Sequence, residues 1–279
     1  MKKILFFTFG LLMSLVSFGQ DSLAVDSLNN GGADSLTVGS HTEFAASKLI
    51  DATKTTGDSA YMKNDFASAI QIYEALLNKG EAAEVYYNLG NSYYKLGDVA
   101  KAILNYERAL LLQPGNADIR ANLEVARAKT IDKVEPVPEV FFISWTKALV
   151  NTMSVDAWAT CGIICFILLI VSLYLFIFSK QIVLKKLGFI GGLLFLVIVI
   201  FANVFATNQK EGLLNRDSAI VMNPSVTVRS TPNESGTSLF ILHEGSKVNI
   251  KDDSMKEWKE IRLEDGKVGW VPTSSIEVI

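Results

Sequence analysis

Histidine and cysteine, on which most metal and nucleophile chemistry rests, occur only twice each in this 279-residue chain. Neither His41 nor His243 lies in an HExxH motif, and the chain has no GxSxG and no phosphate-cradling glycine loop. Both histidines read as ordinary polar surface residues. Cys161 and Cys165 fall four residues apart in one apolar run, where a disulfide would distort the helix and no further metal ligand is near. They read as small packing residues. The remainder of the chain has no cysteine, so nothing there depends on a disulfide. The carboxylates Glu257, Glu260, Glu264 and Asp265 read as a solvated strand face. No enzyme and no cofactor is expected. Excess positive charge is missing too: 26 Lys and Arg stand against 29 Asp and Glu. That leaves no basic footprint for nucleic acid.

Charge is wholly absent from two long stretches, Ala157 to Phe178 and Leu187 to Ala206. Crossing a hydrocarbon core of ~30 Å takes roughly 20 helical residues. Both stretches therefore read as transmembrane helices, 157–178 and 187–206. The alternative is a pair of buried core helices, which rarely run so far without a charge. Between them SKQIVLKK (179–186) holds Lys180, Lys185 and Lys186 and no acid. So short a link forces a hairpin, and lysine-rich short loops stay cytoplasmic. The opening MKKILFFTFGLLMSLVSFGQ has two lysines, an apolar stretch and the small-x-small pattern Ser17-Phe18-Gly19. It reads as a signal peptide (1–19), with an uncleaved anchor as the alternative. Both signals predict an inner-membrane protein with two spans, the lipid bilayer as a partner and both globular parts periplasmic.

Residues 20–42, with Asp-Ser-Leu three times and a glycine-rich break, are too poor in apolar residues to pack and read as a disordered tether. Beyond them GDSAYMKNDFASAIQIYEALL (57–77) and GNSYYKLGDVAKAILNYERAL (90–110) pair at an offset of 33: Gly57 with Gly90, Tyr61 with Tyr94, Asp65 with Asp98, Ala69 with Ala102, Tyr73 with Tyr106. Such a period means a helical solenoid, here 43–132. Glu43 to Thr56 can supply the first helix of copy one. Asn116 to Lys129 supplies a capping helix, with Leu123 and Ala126 inward and Arg120, Arg127 and Lys129 toward water. In copy two, Tyr86, Leu89, Gly90 and Tyr93 share a face, Gly97-Asp98 turns, Ala102, Tyr106 and Ala109 face back, and Pro114 stops the helix. This resembles the tetratricopeptide repeat (TPR) family. Copy one departs from the pattern at Thr53, Ala60 and Leu76. The resemblance implies a groove, lined by first helices, that binds a peptide or a partner surface. Its candidate residues are Asp58, Tyr61, Tyr87, Asn91, Tyr94 and Lys95, each of which reads alternatively as solvated or packing. Tyr87 does not fit a carboxylate clamp.

In the linker 133–156, Pro136 and Pro138 stop the preceding helix and read as a hinge that lets the groove swing. Phe141 to Val150, with Trp145, suggests a helix at the membrane interface or one packed on the solenoid. Ser154 can cap the first span, with Asp156 near its positive end. After a linker (207–216), residues 217–279 break into seven short alternating segments, from SAIVM to IEVI, which predicts a small β-barrel. Its VRSxP and GxVGWV motifs resemble the bacterial SH3 family. Trp258 and Trp270 read as barrel core, or as a ligand platform. The acidic Ala-Leu-Tyr-Asp-Tyr run of proline-reading SH3 domains is missing, and a cell-wall (peptidoglycan) peptide is the alternative ligand.

The expected fold class is thus multidomain: an all-α TPR solenoid, a two-helix transmembrane hairpin and an all-β bacterial SH3-like barrel. The whole order, and VMNPSVTVRSTPNESGTSLFILHEGSKV above all, resembles the TPR/SH3 (BatE-like) membrane proteins of the Bacteroidota aerotolerance operon. That resemblance implies a stress-related membrane complex with von Willebrand factor A-domain proteins and a MoxR-type ATPase. The expected function is a membrane-anchored, periplasm-facing interaction scaffold, or else a cell-wall-binding sensor acting through the SH3-like domain.

Overall fold

The computed structural model describes residues 53–134, 137–138 and 140–279. The expected signal peptide (1–19), the tether (20–42), His41, Pro136 and most of Glu43–Thr56 lie outside them. Five helices open the described chain: α1 (Lys54–Met62), α2 (Phe66–Leu77), α3 (Ala83–Leu96), α4 (Val99–Leu112) and α5 (Ala117–Arg127). Thr53 starts α1 through a capping box with Thr56. The offset of 33 recurs in the geometry. Asp65 caps α2 by accepting from the Ser68 amide, and Asp98 caps α4 by accepting from the Lys101 amide. Each cap follows a left-handed residue, Asn64 (φ 60°) and Gly97 (φ 87°), which are among the few residue types that tolerate it. A β-carbon at Gly57 would stand 2.5 Å from the Tyr73 ring, and one at Gly90 2.7 Å from the Tyr106 ring. Glycine is what lets each tyrosine lie flat on the first helix of its own repeat. Ala69 and Ala102, at matching positions of the two repeats, are both fully buried.

Next come α6 (Phe141–Val150), α7 (Val155–Phe178) and α8 (Ile182–Leu214). No residue of α6 is buried, though the turn after it meets the solenoid, where a β-carbon at Gly115 would collide with the Thr152 carbonyl oxygen. Ser154 caps α7 through the Ala157 amide. The link from α7 to α8 is only Ser179–Gln181, and Lys185 and Lys186 ride in the opening turn of α8 rather than in a loop 179–186. The helix outruns the apolar stretch because lysine stems can lie along it. The hairpin closes on small residues, Gly162, Cys165 and Ser172 of α7 against Gly188, Gly192 and Ala202 of α8, as close helix packing in apolar surroundings requires. Only 17% of the most apolar stretch of α7 and 11% of that of α8 is buried. A core helix would be covered; by length and composition these two could cross a membrane.

Seven strands follow: β1 (Ser218–Val221), β2 (Ser225–Arg229), β3 (Ser238–His243), β4 (Lys247–Asp252), β5 (Trp258–Arg262), β6 (Val268–Pro272) and β7 (Ile276–Val278). They form one antiparallel sheet in the order β3-β2-β6-β5-β4-β1-β7. Strand number and pairing sense match the expectation, but no pairing of β3 with β7 closes the sheet into a barrel among the described residues.

The solenoid and the sheet are docked. Ile220, Ile279 and Met222 of the sheet region pack into the solenoid's core. The β3–β4 turn sets Gly245 (φ 83°) where a β-carbon would be 2.7 Å from Thr130 Cγ2 and 3.1 Å from Ile103 Cδ1. Around this contact the Asp132 carboxylate accepts from the His243 amide (2.7 Å) and Ser246 Oγ (2.6 Å), and His243 Nδ1 lies 2.9 Å from it. His243 is therefore an interface residue, not a free surface one. Glu107, 8% exposed at its side chain, pairs with Arg127 and with Lys247 (2.8 Å). Arg127 is turned to this pair rather than to water. Arg108 donates to the Val278 carbonyl (2.6 Å) and to Glu277 (3.1 Å). The linker is fastened as well: Val134 packs on the sheet's core, and the Val137 amide donates to the Glu264 carbonyl (3.0 Å). At Val134 and Val137 the linker is thus a strap on the sheet, and the expected Pro136-Pro138 hinge falls partly outside the described residues.

Candidate functional site

The first helices α1 and α3, with α5 behind them, frame a groove of about 330 Å³. Tyr61, Tyr87, Asn91, Tyr94 and Lys95 line it together with Tyr106, Asn122 and Val125. Five of the six expected residues meet there, and Asp58 does not. Its carboxylate accepts from Tyr73 Oη (2.7 Å) and Asn88 Nδ2 (2.9 Å) and pairs with Lys54 at 3.6 Å. Asp58 thus joins the two repeats from within.

One repeat later the same arrangement recurs, with Asn91 in place of Asp58. The Asn91 carbonyl accepts from Tyr106 Oη (2.8 Å) and Asn122 Nδ2 (2.9 Å). Asn122 Nδ2 also donates to Tyr87 Oη (2.9 Å). Asn122 stands 34 residues after Asn88, one more than the repeat offset of 33, so strict extension of the offset falls on Ala121 and misses it. Tyr106 fits the pattern of a packing residue, and Val125 is exposed on a helix whose other face is buried.

The substitution of Asn for Asp matters chemically. A carboxylate only accepts, whereas an amide whose oxygen is occupied still has two donor hydrogens. Among the described residues neither Asn91 Nδ2 nor Lys95 Nζ has a partner. Lys129 Nζ lies 4.2 Å from the centre of the Tyr94 ring, adding a cation–π contact and positive charge at the rim. The lining residues include no carboxylate. Burial pushes the Tyr106 hydroxyl well above its ordinary range, and burial with the nearby Tyr87 raises that of Tyr61. Both stay protonated at any physiological pH, with the Tyr106 hydrogen already given to Asn91 Oδ1. The groove offers aromatic walls, an excess of donors and positive charge, and so suits an extended segment rich in acceptors.

Trp258 and Trp270 are half-buried, and neither belongs to the sheet's core of Val221, Val228, Val248, Ile261 and Val271. Trp270 alternates with the buried Gly269 and Val271, which turns it to the other face. Trp258 pairs with Pro272 and Glu260 with Trp270, so the tryptophans are diagonal neighbours on that face. The core reading gives way to a surface pair.

Residues 83–116 match the family model for the tetratricopeptide repeat, and residues 224–277 match that for the bacterial SH3 domain. The first match is copy two, α3 with α4. No curated protein matches the chain.

Proposed function

We propose that this chain is a membrane-anchored, periplasm-facing scaffold whose solenoid groove recruits another protein by gripping an acceptor-rich segment. The observation that carries this reading is the set of unengaged donors, Asn91 Nδ2 and Lys95 Nζ, held among Tyr61, Tyr87 and Tyr94. Tyrosine gives broad contact at little conformational cost. The TPR and SH3 matches fit protein binding, and the two apolar helices fit anchorage. On this reading α7 and α8 cross the inner membrane with the lysines cytoplasmic and the seven strands form an SH3-like barrel. The role is binding, not catalysis. By resemblance, the partners are von Willebrand factor A-domain proteins and a MoxR-type ATPase of an aerotolerance complex.

Affinity purification of the detergent-solubilised chain tests the groove. Asn91 is a poor probe, since removing it orphans the Tyr106 hydroxyl. Lys95→Glu and Tyr94→Ala leave that bond intact and should lose the partners retained by the parent chain. Unchanged partners in both would reject the groove.

The surface pair Trp258 and Trp270 favours a second reading, a cell-wall-binding sensor. Sedimentation of the full chain with purified sacculi, against Trp258→Ala/Trp270→Ala, separates it from the first. The full chain is needed because Ile220 and Ile279 would lose their cover in an isolated sheet domain.

A further inference from the structure

Among the described residues, the charge at the lysine end of the hairpin is answered by no acid. From Ala157 through Lys210 there is no Asp or Glu, while Lys180, Lys185 and Lys186 cluster at the turn. The hairpin's flanking acids, Asp156 and Glu211, stand at its far end, about 35 Å away along the helix at ~1.5 Å per residue. Screening leaves little interaction over that distance, since the Debye length is about 8 Å at physiological salt. Beside the turn lies a crevice of about 250 Å³ lined by Phe176, Ile182, Lys185, Lys186, Phe189 and Ile190. The Phe176 and Phe189 rings meet across the two helices at 5.7 Å. Lys185 precedes Phe189, and Lys186 precedes Ile190, by four residues on α8. The two lysines therefore leave the helix about 6 Å along its axis from an apolar wall. That is the layout of a phospholipid, with a charged head one step above an acyl chain.

We propose that this crevice binds one anionic phospholipid, its phosphate between Lys185 and Lys186 and its acyl chain along Phe176, Phe189 and Ile190. The site rests on the reading that α7 and α8 span a bilayer. Basic pockets between spanning helices are suited to such head groups, and each lysine near an anionic surface contributes about a fivefold preference, or about 25-fold for the pair. A nearby acid would cancel that attraction, and among the described residues none is near.

Native mass spectrometry of the full chain in detergent, titrated with phosphatidylglycerol and separately with phosphatidylcholine, tests the site. One phosphatidylglycerol should be retained with about 25-fold preference. Lys185→Gln/Lys186→Gln should abolish the preference, Lys180→Gln (outside the crevice) should keep it, and Phe189→Ala should weaken both lipids alike. Equal retention of the two lipids by the parent chain, or a preference that survives the double substitution, overturns the proposal. Carbonate washing of membranes separates the premises. Release of the chain removes the spanning reading and the site together, whereas a chain that stays but shows no preference removes the site alone.

Discussion

On the side of the solenoid built by α4, α5 and the strap behind them, Glu107 and Arg108 are paired with Lys247 and Glu277 of the sheet, and Asp132 with His243 and Ser246. On the side built by α1 and α3, Lys95 and the Asn91 amide nitrogen have no partner among the described residues. Both sides carry basic side chains, but the seam has carboxylates where the groove lining has none. They differ also in what covers them. Polar groups that become buried must be matched, because an orphaned buried group costs about 1–3 kcal/mol. Groups on an open face can stay unmatched at little cost and remain available to a ligand. On the proposed reading the seam serves stability and the groove binding, and substitutions should separate them.

Gly245→Val should have the largest effect. It places a side chain at φ 83° and within 2.7 Å of Thr130 Cγ2, adding strain of roughly 1–3 kcal/mol to overpacking of roughly 1–3 kcal/mol. Thermal unfolding of the full chain in detergent should show an early loss of the seam, and an unshifted transition would mean that sheet and solenoid do not dock as described.

Asp132→Ala comes next, at about 1–3 kcal/mol, because the His243 amide and Ser246 hydroxyl lose their acceptor. Burial alone raises the Asp132 carboxyl, but the hydrogen bonds from Ser246 and His243 outweigh it and hold the group below its usual range. A depressed carboxyl stabilises fully above the unfolded value, near pH 3.9, and loses that contribution as pH falls through the folded value. Parent and variant should therefore differ most above about pH 4 and converge in stronger acid. A gap that widens on acidification would contradict the assignment.

Gly90→Ala touches both sides at once. Its methyl would meet the Tyr106 ring at 2.7 Å, costing roughly 1–3 kcal/mol, and Tyr106 also lines the groove. Stability and partner capture should fall together, so a loss of one alone would uncouple groove from core. Lys95→Glu should be smallest in unfolding, within about 0.5 kcal/mol of the parent, while abolishing capture of the partner. A large fall in melting temperature would show that Lys95 serves the fold.

Much of the fold was legible along the chain. The offset of 33 paired Gly57 with Gly90, Tyr73 with Tyr106 and Asp65 with Asp98, and the structure gives each pair one role: glycines under tyrosines and aspartates as caps. The two uncharged runs foretold the hairpin, and the alternating segments foretold seven strands. The groove was half legible. Tyr87, Asn91, Tyr94 and Lys95 share α3, so helical spacing alone gathers them, but Asp58 needed Tyr73 and Asn88 to show that it faces inward. The tryptophan pair was legible as two residues on adjacent strands, and its face was not, because alternation says that successive side chains part without saying which of them is covered.

What the sequence determined by itself are interactions that close within a turn, a hairpin or one repeat: caps, periodicity, the Gly–Tyr contacts and the length of the apolar helices. Only the tertiary structure decided that Asp132 meets His243 across 111 positions, Glu107 meets Lys247 across 140 and Arg108 meets the Val278 carbonyl across 170. The physical reason is that local patterns fix which face of an element is apolar, whereas the partner for that face is chosen by shape and charge between whole elements. The Ile103 side chain against Gly245 and the Ile220 side chain in the solenoid core are matched in space and leave no periodic trace along the chain.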